Sequence, residues 1–320
     1  MSRPRVFCAL PERWRTATLP FTPDAFRAEL RACPTADVVF DADDGRPAAD
    51  LVVWVPGEDE DPYATLGRLH ARCPGVPVAA WLLDDPAWFD VTYALPPAVA
   101  SLYTNDANAA LACHAPNVRH LPAAACQLVA PGDSTTPPAF DAAFLLDGAP
   151  SDASLLAFAL ASLPEGARRV AVTPGALAPG DLSGGGITRL ADGGSGQTAL
   201  LRHARRARVV VRVASSPRHP ANTLHRLLPA SPDALTFAIA EAGVPQVTPL
   251  RFPSLLDAFA RGTEIACFST AAEFADGLRR LLVDEGGRAA VAAAARARVR
   301  REHLYRHRLA EILRAEGLTG

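Results

Sequence analysis

Short apolar segments alternate with helical patterns along the chain. Uninterrupted hydrophobic runs predict strands in the first part at 5–10, 37–40, 51–55, 76–83, 101–104 and 118–121. Apolar residues at helical spacing lie between them, at 23–32, 62–72 and 106–113. Strands that are apolar on both sides are typical of a parallel sheet with helices on both faces. The pattern therefore predicts an α/β fold.

A segment rich in proline and small polar residues, APGDSTTPPAF at 130–140, separates the first part from a second one. In the second part the predicted strands are 142–146, 169–173, 208–213, 245–249 and 264–268. Predicted helices lie at 152–163, 197–207, 233–242 and 271–284. We predict two Rossmann-like, doubly wound parallel-sheet domains at 1–130 and 141–286 with a cleft between them. Helices in 287–320 are expected to cross back onto the N-terminal domain.

The charge balance excludes some partners. The chain carries 32 basic and 34 acidic residues, a formal charge of −2, which gives no global field for binding nucleic acid. No run approaches the roughly 18 apolar residues of a transmembrane helix, and the N-terminus lacks a signal-peptide core. We therefore expect no nucleic-acid partner, no membrane span and a cytoplasmic location.

Every basic residue apart from histidine is an arginine, and lysine is absent. Schiff-base catalysis and a P-loop lysine are therefore excluded. An anionic ligand would have to be held by arginine, by backbone N–H groups or by a helix N-terminus. The six cysteines are scattered, with no CxxC pair and no spacing typical of zinc ligands, so we expect buried thiols and no metal site.

Three groups of segments, in this order, resemble a known family. They are WLLDDPAWFD with SLYTND and NVRHLPAAA, then FAIAEAGVPQVT with FARGTEIACFSTAAEFADGLRRLLVD, and finally EHLYRHRLAEIL. Together they resemble the CgeB-like (spore maturation protein) branch of the GT-B glycosyltransferases, which is related to the group 1 glycosyl transferases. The resemblance begins loosely near residue 50 and is best over 236–313.

The resemblance implies a reaction. A nucleotide sugar would bind mainly to the second domain and an acceptor, which the sequence does not identify, mainly to the first. Transfer would take place in the cleft without a bound metal or other cofactor. The H-x-Y-x-x-R pattern of His303, Tyr305 and Arg308 is the most specific element, and we interpret it as a structural clasp for the terminal helix rather than as catalytic machinery.

On the donor side, a departing nucleoside diphosphate needs positive charge or N–H donors when no metal is present. The segment 211–226 follows a predicted strand, where such donors belong. Its candidates are Arg212, Arg218, His219, Asn222 and Arg226. A surface loop with solvated arginines is the alternative. Gly148, after the first strand of the second domain, would allow close approach of a phosphate or simply form a turn.

The helix predicted over 233–242 would point its N-terminus at the donor, with Thr236 in its first turn and Gly243 ending it. Related enzymes carry two glutamates seven residues apart here, and those places hold Ser231 and Ala238. Glu241 lies one turn late, and the closer branch has an arginine where this chain has Leu235. These departures leave open a degenerate homologue that binds a nucleotide, a sugar or a protein without efficient turnover.

On the acceptor side, an inverting reaction needs a base for a hydroxyl proton. Asp84 and Asp85 follow an apolar strand, at the edge where open α/β sheets bind ligands. Neighbouring residues of an extended chain point in opposite directions, so at most one faces the cleft. An Asp-Asp-Pro turn is the alternative. The following Thr104, Asn105 and Asp106 fit a ligand edge or a helix N-cap.

A nucleotide-sugar epimerase or an NAD-dependent enzyme is a further class. It requires a glycine-rich fingerprint after the first strand, and RVFCALPERW contains none. The glycines at 184–186 and 193–196 are not placed between a strand and a helix, and we expect surface turns there. The resemblance to the GT-B glycosyltransferases therefore remains the basis for the expected function.

Overall fold

A computed structural model describes residues 3–12, 14, 19–40, 48–57, 60–127, 137–145, 158–172, 187–190, 197–212, 220–250, 252 and 254–318. Within them the strands form two parallel sheets, each of six strands. The first sheet is built from residues before 121 and the second from residues after 139. The prediction of two doubly wound α/β domains is confirmed.

The first sheet has the order β2-β1-β3-β4-β5-β6. Its strands are β1 (Arg5–Ala9), β2 (Asp37–Phe40), β3 (Leu51–Trp54), β4 (Val78–Leu82), β5 (Ser101–Thr104) and β6 (Val118–His120). The helices between them are α1 (Pro23–Arg31), α2 (Pro62–Arg72), α3 (Phe89–Thr92) and α4 (Ala107–Ala112). Separate apolar cores cover the two faces of this sheet.

The second sheet has the order β9-β8-β7-β10-β11-β12. Its strands are β7 (Phe140–Leu145), β8 (Arg169–Val172), β9 (Ile187–Leu190), β10 (Ala207–Arg212), β11 (Gln246–Pro249) and β12 (Ala266–Phe268). The helices are α5 (Gln197–Ala204), α6 (Ala234–Glu241), α7 (Ser254–Ala258) and α8 (Ala271–Val283). Apolar cores again lie on both faces.

Three local predictions differ from the structure. Strand β9 was not predicted and lies between the glycines at 184–186 and 193–196, where pairing with β8 satisfies its backbone. Those glycines, which were expected to form surface turns, lie outside the described residues. The helix predicted over 197–207 ends at Ala204, and Ala207 already begins β10. The short helices α3 and α7 were not predicted, since four or five residues are too few to show a helical period.

Two terminal helices, α9 (Glu285–Glu302) and α10 (Tyr305–Ala315), connect the domains. Helix α9 packs against α6 and α8 of the second domain, and α10 packs against α1 of the first. The apolar side chains of α10, including Leu309 and Ile312, lie in the core of the first domain. The expected crossing of the C-terminal helix is therefore present.

The junction of α9 and α10 is the predicted clasp. His303 packs against Phe237 and Phe259 of the second domain, at ring distances of 5.3 and 6.0 Å. A backbone bridge then joins the chain to the first domain, where Ala125 N donates to the His303 carbonyl at 3.0 Å and Tyr305 N donates to the Ala125 carbonyl at 3.0 Å. The same junction thus contacts both domains.

The last two members of the clasp belong to the first domain. Tyr305 is buried against Phe26 and Trp81, with ring distances of 5.0 and 5.7 Å. The Arg308 guanidinium donates from Nε to the Pro122 carbonyl at 2.8 Å and contacts His303 Nδ1 through Nη2 at 2.9 Å. The trio therefore fixes the terminal helix at the seam, as its spacing predicted.

Candidate functional site

The strand order of the second sheet indicates where a ligand would bind. Numbered within the domain, the order is 3-2-1-4-5-6, with its switch point between β7 and β10. Open α/β sheets bind ligands outside the carboxyl ends of the strands at such a point. Leu145 and Arg212, the last residues of these two strands, are paired in register there. Arg212 thus lies at the expected donor crevice.

Arg212 is paired with an acidic residue of its own domain. Its Nη1 and Nη2 donate to the two oxygens of Asp233 at 3.3 and 2.8 Å. Asp233 is the N-cap of α6, and its Oδ1 also accepts from Thr236 N and Thr236 Oγ1 at 2.9 and 2.8 Å. Arg212 and Thr236, predicted as separate donor contacts, are therefore brought together through Asp233.

This carboxylate changes the electrostatics of the helix N-terminus. Burial works to raise the pKa of Asp233, but the Arg212 guanidinium and the Thr236 hydrogen bonds outweigh it and leave the pKa below its usual range. Asp233 is therefore ionised and occupies the position where a helix N-terminus would hold a phosphate. A donor phosphate would have to bind beside this ion pair or displace it.

Asn222 stabilises a turn. Its Nδ2 donates to the Leu227 carbonyl at 2.8 Å, and its Oδ1 accepts from Leu227 N at 2.9 Å. Arg226 lies inside this turn with a left-handed φ of 53°, and its Nε donates to the Thr223 carbonyl at 3.2 Å. Both side chains thus contribute to the local fold of the segment after β10.

Glu241 contacts the terminal helix α9. It is fully buried, and its two oxygens accept from Arg300 Nε and Nη2 of α9 at 2.9 to 3.1 Å. Arg296 Nε lies 3.9 Å from the same carboxylate. Gly243 ends α6 with a φ of +74°, which a residue with a side chain would adopt only with strain. Glu241 therefore joins α6 to the terminal helix.

The places where related enzymes carry polar donor contacts are apolar or engaged elsewhere. Ala238 and Leu235 are buried against the second sheet. Ser231 Oγ contacts His120 Nε2 of the first domain at 3.0 Å and accepts from Ala107 N at 3.1 Å. Gly148, Arg218 and His219 lie outside the described residues, and their donor-binding roles stay predictions.

On the first domain, Asp85 is part of a buried hydrogen-bond network. Its Oδ2 accepts from Thr104 Oγ1 at 2.7 Å and its Oδ1 from Thr92 Oγ1 at 3.2 Å. Asp84 is equally buried at the carboxyl end of β4, and its carbonyl accepts from Ala87 N at 3.0 Å. This network joins Asp85 to β5 and α3.

The segment after β5 combines a cap with a polar edge. Asp106 is the N-cap of α4, as one of the two readings predicted. Asn105 is 7% exposed, and its Oδ1 has no hydrogen-bond partner among the described residues. A buried unpaired amide oxygen costs free energy, so it is a candidate for a ligand contact.

A second switch point was not predictable from the sequence. In the first sheet, the order in which successive strands are added reverses between β1 and β3, where Ala9 pairs with Trp54. Glu12 lies three residues beyond Ala9 and is exposed, unlike Asp84 and Asp85. The sequence shows Glu12 as a carboxylate shortly after the first strand. The strand order that places this residue at a switch point is visible only in the structure.

Within the described part of the chain, no group of three His, Cys, Asp or Glu side chains is arranged to hold a metal ion. No helix there is both long enough and apolar enough to cross a membrane.

Solved structures share this architecture over nearly the whole chain. Sucrose-phosphate synthase from Thermosynechococcus elongatus superposes with a TM-score of 0.57 at 12% identity, covering 98% of both chains. HepE from Anabaena, in complex with UDP-glucose, gives a TM-score of 0.57 at 11% identity and covers 97% of this chain and 99% of its own. The chain has the GT-B fold.

Further similarity lies in the second domain and the terminal helices. Residues 191–314 match the family model described as "Glycosyl transferase-like". TarM from S. aureus superposes with a TM-score of 0.56 at 10% identity, covering 82% of this chain and 55% of its own. No curated protein sequence matches the chain. The CgeB-like branch stays a prediction.

Proposed function

We propose that the protein is a metal-independent glycosyltransferase that moves a sugar from a nucleotide sugar to an acceptor. The observation that carries the proposal is the GT-B fold combined with the "Glycosyl transferase-like" match over 191–314, which spans the donor side of the cleft. HepE, a neighbour in fold, was crystallised with UDP-glucose, so we take a UDP-sugar as the first donor to test.

For the donor, we propose that the diphosphate binds outside β7 and β10. Backbone N–H groups near Gly148 and the side chains of Arg218 and His219 would supply its contacts. Arg212 would act through its ion pair with Asp233. We leave Glu241 out of the proposed site, because its carboxylate is buried beneath α9 and engaged by Arg300.

For the acceptor, we propose Asp84 as the base and Asn105 as a group that binds a substrate hydroxyl. Both lie at the carboxyl ends of the neighbouring strands β4 and β5, which pair in register up to Leu82 and Thr104. Glu12, exposed at the switch point of the first sheet, is the alternative base.

A second candidate function is a degenerate homologue that binds a nucleotide, sugar or protein partner without efficient turnover. Two observations favour it: Ala238 stands where related enzymes have a glutamate, and the Asp233 carboxylate occupies the N-terminus of α6. Both reduce the favourable contacts available to a departing nucleoside diphosphate.

The experiment that separates these functions combines binding with turnover. The protein is incubated with UDP-, GDP- and dTDP-sugars, with and without EDTA, and nucleoside diphosphate release is followed alongside equilibrium binding. The transferase predicts binding and release with at least one donor, and weaker nucleotide binding by Arg218→Ala. Arg218 is the cleaner test than Arg212, whose removal would also take the countercharge from Asp233.

The outcomes are distinct. Nucleotide binding without release would favour the degenerate homologue. Release that stops in EDTA would contradict metal independence. If no nucleotide binds across the panel, both candidate functions are wrong.

A further inference from the structure

We propose that Asp90 and Asp106 of the first domain are positioning residues that hold the second domain at the angle needed for transfer. Both bind one segment of the second domain, Asn222–Ser231, which we call the latch. The inference rests on the proposed function only for its effect on turnover. Its structural part concerns the two domains themselves.

Asp90 accepts hydrogen bonds from one end of the latch. Its Oδ2 accepts from Thr223 N and Leu224 N at 2.6 and 2.7 Å. Its Oδ1 accepts from His225 N at 3.0 Å and contacts His225 Nδ1 at 2.8 Å. Three consecutive residues of one domain thus donate to a single carboxylate of the other. Several donors that meet at one carboxylate indicate a specific contact between the domains, whereas a chance ion pair on the surface would have a single partner.

The surroundings of Asp90 support this contact. Burial works to raise the pKa of Asp90, but hydrogen bonds from Leu224, His225 and Thr223 lower it to about 2, so the carboxylate is ionised at neutral pH. The His225 ring also packs against Phe89 and Tyr93, at ring distances of 5.0 and 4.5 Å. The latch is therefore held by charge and by ring contacts at the same place.

Asp106 accepts hydrogen bonds from the other end of the latch. Its Oδ1 caps α4 by accepting from Asn108 N and Ala109 N at 2.9 and 3.1 Å. Its Oδ2 accepts from Ala230 N and Ser231 N of the latch at 2.7 and 3.1 Å. One carboxylate therefore fixes the start of a helix in the first domain and the end of the latch in the second. An additional bond joins Asn108 Nδ2 to the Leu228 carbonyl at 2.9 Å.

The latch differs in character from the clasp on the C-terminal helices. The clasp is surrounded by an apolar core, in which Leu304 and Val299 are buried together with Ala125 of the first domain. The latch is polar and partly exposed, and Leu224 and Leu228 within it are 73% and 63% exposed. Water can replace hydrogen bonds to backbone N–H groups at small net cost, whereas it cannot replace an apolar core. The domains therefore open at the latch and hinge at the clasp.

This asymmetry has a consequence for the reaction. The proposed donor crevice belongs to the second sheet and the proposed base, Asp84, to the first. Their separation is therefore set by the angle between the domains. Misplacement of about 1 Å at a reacting centre lowers rates by roughly a hundredfold. Loss of the latch should reduce turnover while leaving the donor crevice intact.

The test uses the full chain with Asp90→Ala and a matched control, Asp141→Ala. Asp141 also has a lowered pKa and accepts a backbone N–H, from Arg168 at 2.9 Å, but its partners Arg168 and Arg208 lie in its own domain. We expect Asp90→Ala to enlarge the radius of gyration measured by small-angle X-ray scattering and to lower kcat by roughly tenfold or more. The UDP dissociation constant of Asp90→Ala should stay within about twofold of the wild-type value. The control variant should match the wild type in radius of gyration, kcat and UDP dissociation constant.

A second variant guards against misfolding. Asp106→Asn keeps a good N-cap for α4 but turns an NH2 group toward the Ala230 and Ser231 N–H donors. It should reproduce the larger radius with the fold preserved by circular dichroism. If both variants have the same radius of gyration as the wild type, the proposed role of the latch is wrong, whatever their activity. If the wild-type protein shows no turnover, the proposed function is wrong, and the scattering result still tests the latch.

Discussion

At the scale of single residues, charges near the predicted donor site stabilise the fold. Glu241 forms an ion pair with Arg300 of α9, and Asp233 forms one with Arg212. Side chains that the sequence offers as ligand contacts are thus paired with other side chains of the chain. The sequence could single out Glu241, which lies one turn after a place where related enzymes carry a glutamate, and Arg212, which follows a predicted strand. It could not show their partners, which lie up to 59 residues away.

The Glu241 pair gives a stability prediction. Glu241→Gln removes a fully buried charge that three hydrogen bonds from Arg300 satisfy. We expect the free energy of unfolding to fall by about 2 kcal/mol, measured by urea denaturation. Nucleotide affinity of the folded variant should be unchanged, since the carboxylate does not face the donor crevice.

The control for this variant is Asp276→Asn, whose carboxylate forms an ion pair with Arg279 while 73% exposed. Exposed pairs of this kind contribute about 0.5 kcal/mol or less. A change in Glu241→Gln no larger than that of the control would contradict the assignment of Glu241 to the terminal helix.

At the scale of secondary structure, the clasp shows what a sequence pattern can and cannot specify. The spacing of His303, Tyr305 and Arg308 was sufficient to predict a docked helix with a structural role. Their partners were not predictable, because Phe237 and Trp81 come from different domains. Helix α6 was predicted almost to the residue, and the terminal glycine marked its end. Strand β9 was missed, because its pairing with β8 and not its own four residues defines it.

The clasp should make stability depend on pH. His303 donates from Nε2 to the Ala258 carbonyl at 3.2 Å, which leaves Nδ1 to accept from Arg308 at 2.9 Å. Burial and the Arg308 charge lower the pKa of His303 to about 4, so the ring is neutral in the folded protein. The unfolded state, with a pKa of about 6.5, takes up the proton first as pH falls. Stability from His303 is therefore complete above pH 6.5 and lost progressively toward pH 4.

The measurement compares thermal unfolding of the wild type with that of His303→Gln between pH 7.5 and 4.5. The difference in Tm should be largest above pH 6.5 and shrink as the pH falls, while other titrating groups cancel in the comparison. A difference that stays constant over this range would mean that His303 does not titrate between the folded and unfolded states as its contacts require.

At the scale of the whole molecule, the sequence predicted the two parallel-sheet domains and the returning helix. Apolar strand runs and the proline-rich segment at 130–140 carry that information locally. The strand orders do not follow from local pattern, and they decide where ligands bind. Arg212 gained its position at a switch point only when β10 was found beside β7. The latch was equally hidden, since Asp90 and His225 are 135 residues apart.

We propose that the second GT-B domain binds a nucleotide sugar at its switch point. The decisive measurement is a crystal structure of the protein soaked with UDP-glucose in EDTA. We expect density for the diphosphate outside the carboxyl ends of β7 and β10, within hydrogen-bond distance of Arg218 or of backbone N–H groups there. A nucleotide bound elsewhere, or a crevice that stays empty at saturating UDP-glucose, would contradict it.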